Sequence, residues 1–451
     1  MKKLERRAIL CLILAAGLLF GLCVYCFRYI RDGGQWATFY ANQHIYTNGK
    51  LNRGRIYDRN GVLLASNGKG QDGSPAFNSD ETVRWATAHA VGDINGNVST
   101  SAEAVFKDKI VGYNLLTGTY DTAGRGNSFK LSIDSRFCKA AYEALGGYKG
   151  LVGVYNYETG EVVCMVSTPS FDPAYPPSVS DVESGTYLNK FLKGRFVPGS
   201  VFKILTTTAA IETLDEDYLK NFKYNCTGTA TIYGEKIVCS HAHGEVDFKG
   251  ALSQSCNCAY AKITRKIGAK KMEKYTKKCG LETAYDMNGV TNTKGIFEFP
   301  QAPLNLAWAG IGQWKDVMNP CSMVVFLGAI ANDGVSMQPR LMYTPIRSGL
   351  SGNRMMSSQT ASKVSSMLRN DVTSHYGQDN FPGLKLYAKT GTAEVSGAQP
   401  NAWFAGFIKN KNCPYAFVVC LQDAGYGLRV AAPIANRVLQ QIVAYVKEDN
   451  K

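Results

Sequence analysis

The stretch from Gly194 to Glu212, GRFVPGSVFKILTTTAAIE, decides how this chain is interpreted. Pro198-Gly199 interrupts the preceding segment, so we predict that a helix begins at Ser200. From Ser200 to Ile211 the only charged residue is Lys203. The apolar residues at helical spacing predict that this helix is buried on most of its sides.

Ser200 and Lys203 are three residues apart and therefore lie on one face of the predicted helix. Burial disfavours a charged ammonium and lowers its pKa, so Lys203 could act as a base. Ser200 lies in the first turn, where the helix dipole favours developing negative charge. These are the conditions that a serine nucleophile needs. The simpler alternative is a buried helix with a capping serine, and Ser66-Asn-Gly-Lys69 shows that the pattern also arises by chance.

Two further motifs follow in the sequence. Ser255-Cys-Asn257 precedes an apolar helical run and offers a hydroxyl that can relay a proton and an amide that can hold a carbonyl. Its pattern is weak alone, because Ser351-Gly-Asn353 shares it. Lys389-Thr-Gly391 occurs once, followed by Thr392, on a predicted strand at 385–394. Its glycine permits close approach of another backbone, and the strand edge could pair with an extended peptide.

The distribution of elements predicts an α+β fold. Apolar, β-branched segments indicate a hairpin near the middle of the chain and three strands near its end. Helices are predicted before the hairpin and after the last strand, and mostly helical patterns lie between. This order favours a five-stranded antiparallel sheet flanked by helices. The predicted elements are a helix at 135–145, strands at 150–157, 161–167, 385–394, 402–408 and 415–422, and a helix at 432–447.

The order of the three motifs, Ser-x-x-Lys, Ser-x-Asn and Lys-Thr-Gly, is the signature of penicillin-binding proteins and class A β-lactamases. With an N-terminal apolar segment, the chain resembles a class B penicillin-binding protein, a membrane-anchored peptidoglycan D,D-transpeptidase. The resemblance covers most of the chain and extends to the stretches at 53–61, 159–173 and 194–200. One departure is Gly312-Gln-Trp314, where the family often has Gly-Gln-Gly. No stretch resembles a glycosyltransferase domain.

The resemblance implies a domain order and a transpeptidase domain of the β-lactamase/penicillin-binding type. We expect a cytoplasmic tip and transmembrane anchor at 1–30, a small pedestal domain at 31–147 and the transpeptidase domain at 148–451. Gly146-Gly147, which ends the helix at 135–145, marks the last boundary. Asn60-Gly61 predicts a hairpin turn within the pedestal.

The resemblance also implies a role for each motif residue. Ser200 attacks the D-Ala-D-Ala bond of a stem peptide, and Lys203 accepts its proton. Ser255 relays a proton, and Asn257 orders the acyl chain. Lys389 and Thr390, with Gly391 and Thr392, bind the terminal carboxylate. The backbone N–H groups of Ser200 and Thr392 form an oxyanion hole. An amine of a second stem peptide resolves the acyl-enzyme, with carboxypeptidase hydrolysis as a side reaction and β-lactams as acylating inhibitors. No cofactor is expected.

A β-lactamase or a β-lactam-sensing receptor of the same fold is the alternative. Class A β-lactamases use a glutamate in a Glu-x-x-Leu-Asn run, and the nearest match here, Gln301-Ala-Pro-Leu-Asn305, has an amide in its place. A class that uses a carbamylated lysine at the position of Lys203 stays open. A non-catalytic scaffold is disfavoured because the motif residues are intact.

The N-terminus predicts a membrane anchor. Ala8–Phe27 is twenty residues long without a charge and follows the basic stretch MKKLERR. This length suits a bilayer span, and the charges place the N-terminus inside, so the remainder would lie outside a bacterial cell membrane. A cleaved signal peptide is the alternative. We expect a polytopic membrane glycan polymerase as partner, from the resemblance alone.

The net charge of the chain indicates which classes of partner it can bind. The net charge is +14, which suits an anionic wall polymer or lipid. No dense basic run occurs beyond the N-terminus, so nucleic acid is not a predicted partner.

Cysteine and histidine residues cluster in the sequence before Ser255. Cys226, Cys239, His241 and His243 could bind zinc, but Cys-x-His-x-His is not a strong zinc pattern. The prediction is therefore no metal, with either a disulfide between Cys226 and Cys239 or free thiols. Cys256 is expected to be a small buried residue.

Overall fold

The computed structural model describes residues 2–39, 46–47, 50–51, 54–69, 75–114, 116–117, 126–345, 352–395 and 397–450. Arg53, which opens one family-like stretch, and Ser351, in the second Ser-x-Asn match, lie outside these residues.

The N-terminal part consists of one long helix followed by short strands and helices. The helix includes the predicted anchor and is exposed along its apolar length. Asn60-Gly61 turns between β3 and β4, which confirms the predicted hairpin. The elements are α1 Lys2–Ala37, β1 Tyr46–Thr47, β2 Lys50–Leu51, β3 Ile56–Tyr57, β4 Leu63–Lys69, β5 Pro75–Phe77, α2 Glu81–Val91, α3 Ala102–Val105, α4 Lys107–Ile110, β6 Phe129–Lys130 and α5 Ser135–Leu145.

Helix α5 matches the predicted helix. The Asp134 side chain caps its N-terminus by accepting a hydrogen bond from the Arg136 N–H. Gly146 ends it in the left-handed conformation, with φ of 54°. The predicted hairpin follows as β7 Gly150–Asn156 and β8 Val162–Thr168.

The middle of the chain is mostly helical, with short β-ribbons. After α8 the chain forms two short antiparallel ribbons. Strand β9 pairs with β12, and β10 and β11, which lie between them in the sequence, pair as a hairpin. The elements are α6 Lys190–Lys193, α7 Lys203–Thr213, α8 Glu216–Lys220, β9 Lys223–Cys226, β10 Thr229–Ile232, β11 Glu235–Val238, β12 Gly244–Asp247, α9 Phe248–Ser253, α10 Asn257–Ile267, α11 Ala269–Lys278, β13 Asp286–Met287, β14 Val290–Thr291, α12 Pro303–Ala309, α13 Pro320–Ala331, β15 Val335–Met337, β16 Gly352–Arg354 and α14 Ser358–Asp371.

The C-terminal part completes the main sheet with β17 Leu386–Ala393, β18 Asn401–Asn410 and β19 Cys413–Leu421, followed by α15 Gly427–Asp449. All pairings are antiparallel, in the order β17-β18-β19-β7-β8. The five-stranded sheet is therefore confirmed, with strand bounds within two residues of those expected. Helix α15 begins five residues earlier than the predicted 432.

Helices cover both faces of this sheet. Gly328 of α13 faces the ring of Tyr155 in β7, whereas Phe137 of α5 contacts Tyr415 of β19. Tyr155 pairs with Ala416, so Tyr155 and Tyr415 point to opposite faces. Because both faces are covered, the inner strands are almost continuously apolar. The core is continuous from α2 and α5 into the sheet, and the boundary at 147/148 stays a prediction.

Candidate active site

The turn that carries Ser200 differs slightly from the expected helix start. Gly199–Phe202 forms a 3₁₀ turn, and α7 continues from Lys203. In a 3₁₀ turn, side chains at i and i+3 eclipse each other, so Ser200 and Lys203 share a face. Ser200 is partly exposed, and within the described residues its hydroxyl makes no side-chain hydrogen bond. It is therefore accessible to a substrate.

Three glycines let the Ser200 turn approach strand β17. Gly199 has φ of 54°, and a Cβ there would lie 2.8 Å from the Thr392 carbonyl oxygen. A Cβ on Gly391 would meet Val201 at 3.0 Å, and one on Gly312 would lie 2.5 Å from the Gly199 oxygen. Gly391 was predicted to allow close approach by a substrate. In the structure it also allows close packing of the protein's own nucleophile turn.

Lys203 is fully buried and connects two of the predicted motifs. Its Nζ donates to the Ser255 carbonyl oxygen at 2.6 Å, to Ser255 Oγ at 3.1 Å and to Asn257 Oδ1 at 2.7 Å. Burial, with the nearby positive charge of Lys389, lowers the pKa of Lys203 to about 7. The amine can therefore be neutral near physiological pH, as a base must be.

Ser255 adopts a backbone conformation that is unusual for a residue with a side chain, with φ of 53°. Such conformations cost about 1–3 kcal/mol and concentrate at functional sites. The next residue, Cys256, caps α10 by accepting the Ala259 N–H at 3.4 Å. Asn257 begins α10 and donates to the Val238 carbonyl at 2.8 Å. The predicted position of Ser255, just before a helix, is confirmed.

The Lys-Thr-Gly motif lies on β17, the edge strand of the sheet. Lys389 is fully buried, and burial lowers its pKa to about 8, opposed by the negative charge of Asp371. Burial in turn raises the pKa of Asp371 to about 7, and neither carboxyl oxygen has a hydrogen-bond partner in the described part of the chain. Asp371 therefore acts on Lys389 through charge.

The outer edge of β17 is directed toward the site. Thr390 donates its backbone N–H to the Tyr376 hydroxyl at 3.1 Å, so this N–H points away from β18. Along an antiparallel strand, the N–H groups of residues i and i+2 point to the same edge. The Thr392 N–H therefore points away from β18, as the Thr390 N–H does. Tyr376 also contacts Thr390 Oγ1 at 3.2 Å. Both Tyr376 and Asp371 were missed by the sequence analysis, because no local pattern connects them to β17.

Comparison with known families agrees with this arrangement. Residues 150–440 match the penicillin-binding protein transpeptidase domain. The chain belongs to this family. All the predicted motif residues, from Ser200 to Thr392, thus lie within the matched domain.

Similar proteins come from several bacteria. The peptidoglycan D,D-transpeptidase PbpA of Mycolicibacterium smegmatis is 26% identical over 360 residues, which are 70% of this chain and 72% of the relative. The stage V sporulation protein D of Bacillus subtilis is 27% identical over 293 residues, 60% of this chain and 44% of that protein. Penicillin-binding protein A of M. tuberculosis, solved as a ceftriaxone acyl-enzyme complex, aligns with a TM-score of 0.75 at 22% identity, covering 86% of this chain and 98% of that one.

The structure brings together residues from all three motifs. Lys203, Ser255 and Asn257 are joined by hydrogen bonds, and Ser200 lies against β17 through its neighbouring glycine. Beside Ser255, the side chains of Cys226, Cys239, His243 and Cys256 form a cluster whose donor atoms lie within 4.8 Å of one another. His241 is not part of it; its ring contacts Ser240 Oγ on the exposed side.

Proposed function

We propose that this chain is a peptidoglycan D,D-transpeptidase that cross-links stem peptides through a serine acyl-enzyme and is acylated by penicillin. The observation that carries the proposal is the buried Lys203, which shares hydrogen bonds with Ser255 and Asn257 and lies one helical turn from Ser200. Curated relatives named peptidoglycan D,D-transpeptidases support it. So does the shared fold with a protein solved as ceftriaxone and penicillin G acyl-enzymes.

Acylation begins at Ser200. Its Oγ attacks the carbonyl carbon between two D-alanines, and neutral Lys203 accepts the hydroxyl proton. A neutral amine has two N–H donors and one lone pair. Lys203 can therefore keep donating to Asn257 and the Ser255 carbonyl while its lone pair takes the proton. An ester bond forms as the C–N bond breaks, and Ser255 passes the proton to the departing D-alanine amine.

The charge that develops on the carbonyl oxygen needs donors already in place. We assign the backbone N–H groups of Ser200 and Thr392 to this oxyanion hole. The outward edge of β17 at Thr392 and the contact between Gly199 and Thr392 support the assignment. The same edge offers an extended substrate a strand with which to pair.

The terminal carboxylate of the donor peptide is assigned to the Lys389-Thr-Gly391 strand. Lys389 supplies positive charge, and the hydroxyls of Thr390 and Thr392 supply hydrogen bonds. An amine from a second stem peptide then attacks the ester and restores the Ser200 hydroxyl. Water in place of the amine gives the carboxypeptidase side reaction.

A hydrolytic role as a β-lactamase has less support. The glutamate with which class A β-lactamases activate water has no counterpart in the segment near Gln301, which carries an amide and is exposed. We therefore expect a long-lived penicilloyl adduct on this enzyme and not rapid turnover.

Intact-mass analysis of the full-length protein with penicillin G tests the function. We expect a single covalent adduct that persists for hours on the wild type and is absent from Ser200→Ala. Ser66→Ala, which alters the second Ser-x-x-Lys match, is the control and should keep the adduct. An adduct on Ser200→Ala, or adduct loss within seconds on the wild type, would refute the proposed mechanism.

The location is also proposed. Helix α1 would act as a single-pass anchor in the bacterial cell membrane, with the catalytic domain outside the cytoplasm. The helix is long and apolar enough to cross a membrane, and its apolar segment is exposed, which supports this location. A polytopic glycan polymerase is the expected partner, contacting the anchor and the pedestal.

A further inference from the structure

Four potential metal ligands converge beside Ser255, and the proposed catalytic steps use none of them. Cys226 ends β9, Cys239 follows β11, His243 precedes β12 and Cys256 caps α10. They are separated by twelve, three and twelve residues in the sequence. Only the pairing of β9 with β12, and the return of the chain to α10, bring them together.

Three separations between the donor atoms match those of a tetrahedral zinc site. Zinc bonds of about 2.3 Å to sulfur and about 2.0–2.1 Å to nitrogen require sulfur–sulfur separations of about 3.8 Å and sulfur–nitrogen separations of about 3.5 Å. Cys226 Sγ and Cys239 Sγ are 3.8 Å apart, as are Cys239 Sγ and Cys256 Sγ. Cys226 Sγ lies 3.4 Å from His243 Nδ1. All four atoms lie within 4.8 Å of one another.

A disulfide does not account for this arrangement. It would need a sulfur–sulfur separation of about 2.05 Å, and all the cysteines involved are free thiols. Cys256 and Cys226 are fully buried, and Cys239 is 8% exposed. Packing alone would not require three thiols and an imidazole nitrogen to face one point.

Cysteine binds metal as a thiolate, and one of the four ligands lies where a helix dipole favours negative charge. Cys256 lies at the N-terminus of α10, where its sulfur accepts the Ala259 N–H and the helix dipole is positive. Cys258 lies close to Cys239, but its thiol is directed to the Ile237 carbonyl. It is therefore a neighbour of the cluster and not a fourth sulfur ligand.

The geometry points to a structural Zn²⁺ site formed by Cys226, Cys239, His243 and Cys256 that holds the Ser255 loop in place. Three sulfurs and one nitrogen in a tetrahedral arrangement suit zinc, and four protein ligands close the site, which is typical of a structural role. The sequence analysis predicted no metal, because Cys-x-His-x-His is not a strong zinc pattern. The four residues that meet in the structure include Cys256, which the sequence analysis interpreted as a small buried residue.

The consequence for the active site follows from one residue. Cys256 lies between Ser255, whose backbone is in a strained conformation, and Asn257. A metal bond to Cys256 fixes the peptide on both sides and thereby the acceptors of Lys203. The metal would act as a positioning group: it contacts neither substrate nor the reacting atoms.

Metal analysis of the full-length protein, purified in detergent and reductant without added metal, tests the site. We expect about one zinc per chain. X-ray absorption should show three sulfurs and one nitrogen around it, and Co²⁺ exchange should give the visible bands of a tetrahedral thiolate complex. Iron in place of zinc, or no metal together with no cobalt bands, would overturn the proposal, whether or not any variant folds.

Variants assign the ligands. Cys239→Ser and His243→Ala should lose most of the zinc, whereas Cys279→Ser, which alters a buried cysteine outside the cluster, should keep it. Cys258→Ser should also keep one zinc, and its loss there would contradict the proposed ligand set. If His243→Ala retains zinc with unchanged X-ray absorption, the site is not the one described.

The effect of zinc on the Ser255 loop rests on the proposed function and is measured separately. Chelation should lower the melting temperature and slow acylation by penicillin by about tenfold or more, because Ser255 and Asn257 lose their fixed position. Zinc addition should restore both. Unchanged acylation in zinc-free protein would remove the positioning role, while the metal content would still report on the site itself.

Discussion

At the residue scale, the two buried lysines of the site have opposite requirements. In the proposed mechanism, Lys203 must be neutral to take a proton from Ser200, whereas Lys389 must be charged to hold a carboxylate. Burial lowers both pKa values, to about 7 and about 8. The negative charge of Asp371 raises the pKa of Lys389 and so opposes the effect of burial. The positive charge of Lys389 lowers the pKa of Lys203 further. The two neighbouring lysines can therefore differ in charge, with Lys203 neutral as a base and Lys389 charged as a cation.

The acylation rate constant with penicillin should therefore depend on pH as a bell-shaped curve. Below about 7 it should fall by about tenfold per pH unit as Lys203 becomes protonated, and above about 8 it should fall as Lys389 loses its charge. Stopped-flow measurement over a range where circular dichroism shows an unchanged fold would record it.

Lys389→Arg provides the control for the alkaline limb. A guanidinium stays charged throughout this pH range, so the variant should be slower overall but keep its rate at high pH. A decline with the same midpoint as in the wild type would show that Lys389 does not cause this limb.

At the element scale, the site depends on how closely a helix start approaches a strand. Ser200 reaches the edge of β17 because Gly199 and Gly391 have no side chains at that contact, and Gly312 leaves room beside Gly199, which lies in the same turn as Ser200. Each of these positions would place a Cβ at 3.0 Å or less from a neighbouring atom. The absence of a side chain at these three positions is therefore a packing requirement of the turn that carries Ser200.

Gly199→Ala should destabilise the protein by about 1–3 kcal/mol and slow penicillin acylation by about tenfold or more, because the Ser200 turn must move away from Thr392. Gly146→Ala is a matched control, since Gly146 has the same φ of 54° but no atom within 3.4 Å of the added Cβ. Gly146→Ala should lower the free energy of unfolding by about 1–2 kcal/mol and leave the acylation rate unchanged. Urea unfolding and stopped-flow kinetics measure the two effects. Equal acylation in both variants would contradict the packing argument.

At the scale of the whole molecule, the apolar helix α1 and the catalytic domain differ sharply in their surfaces. The helix is exposed over its apolar length, whereas the domain encloses one continuous core. Near its end, Tyr29 contacts Tyr113 through their hydroxyls at 3.1 Å. A helix that is apolar around its circumference needs either lipid or a protein partner.

Deletion of residues 2–27 should move the protein from the membrane to the soluble fraction, with penicillin acylation unchanged. A second variant, in which 8–27 is replaced by an unrelated apolar helix, should stay in the membrane but co-purify more weakly with the proposed glycan polymerase partner. Cell fractionation and affinity purification would detect these outcomes. Retention of the deletion variant in the membrane would argue against α1 as the anchor.

The sequence by itself determined the fold class and the main motif residues. Apolar, β-branched segments predicted all five strands of the sheet, because strand burial leaves a local signal. Ser200, Lys203 and Lys389 were predicted because their motifs are short and their order is specific. The same local information placed the end of α5 at Gly146.

Tertiary structure alone decided which side chains meet. Asp371 and Tyr376 come to Lys389 and Thr390 through the packing of the segment after α14 against β17, for which no sequence spacing is diagnostic. The four residues of the proposed zinc site are brought together by the pairing of β9 with β12, and the sequence analysis named three of them but not Cys256. Long-range contacts depend on how elements pack, and that information is spread over the whole chain. The Ser200 turn shows both contributions: its sequence specified a serine and a lysine on one face, and the fold buried the lysine beside a second cation.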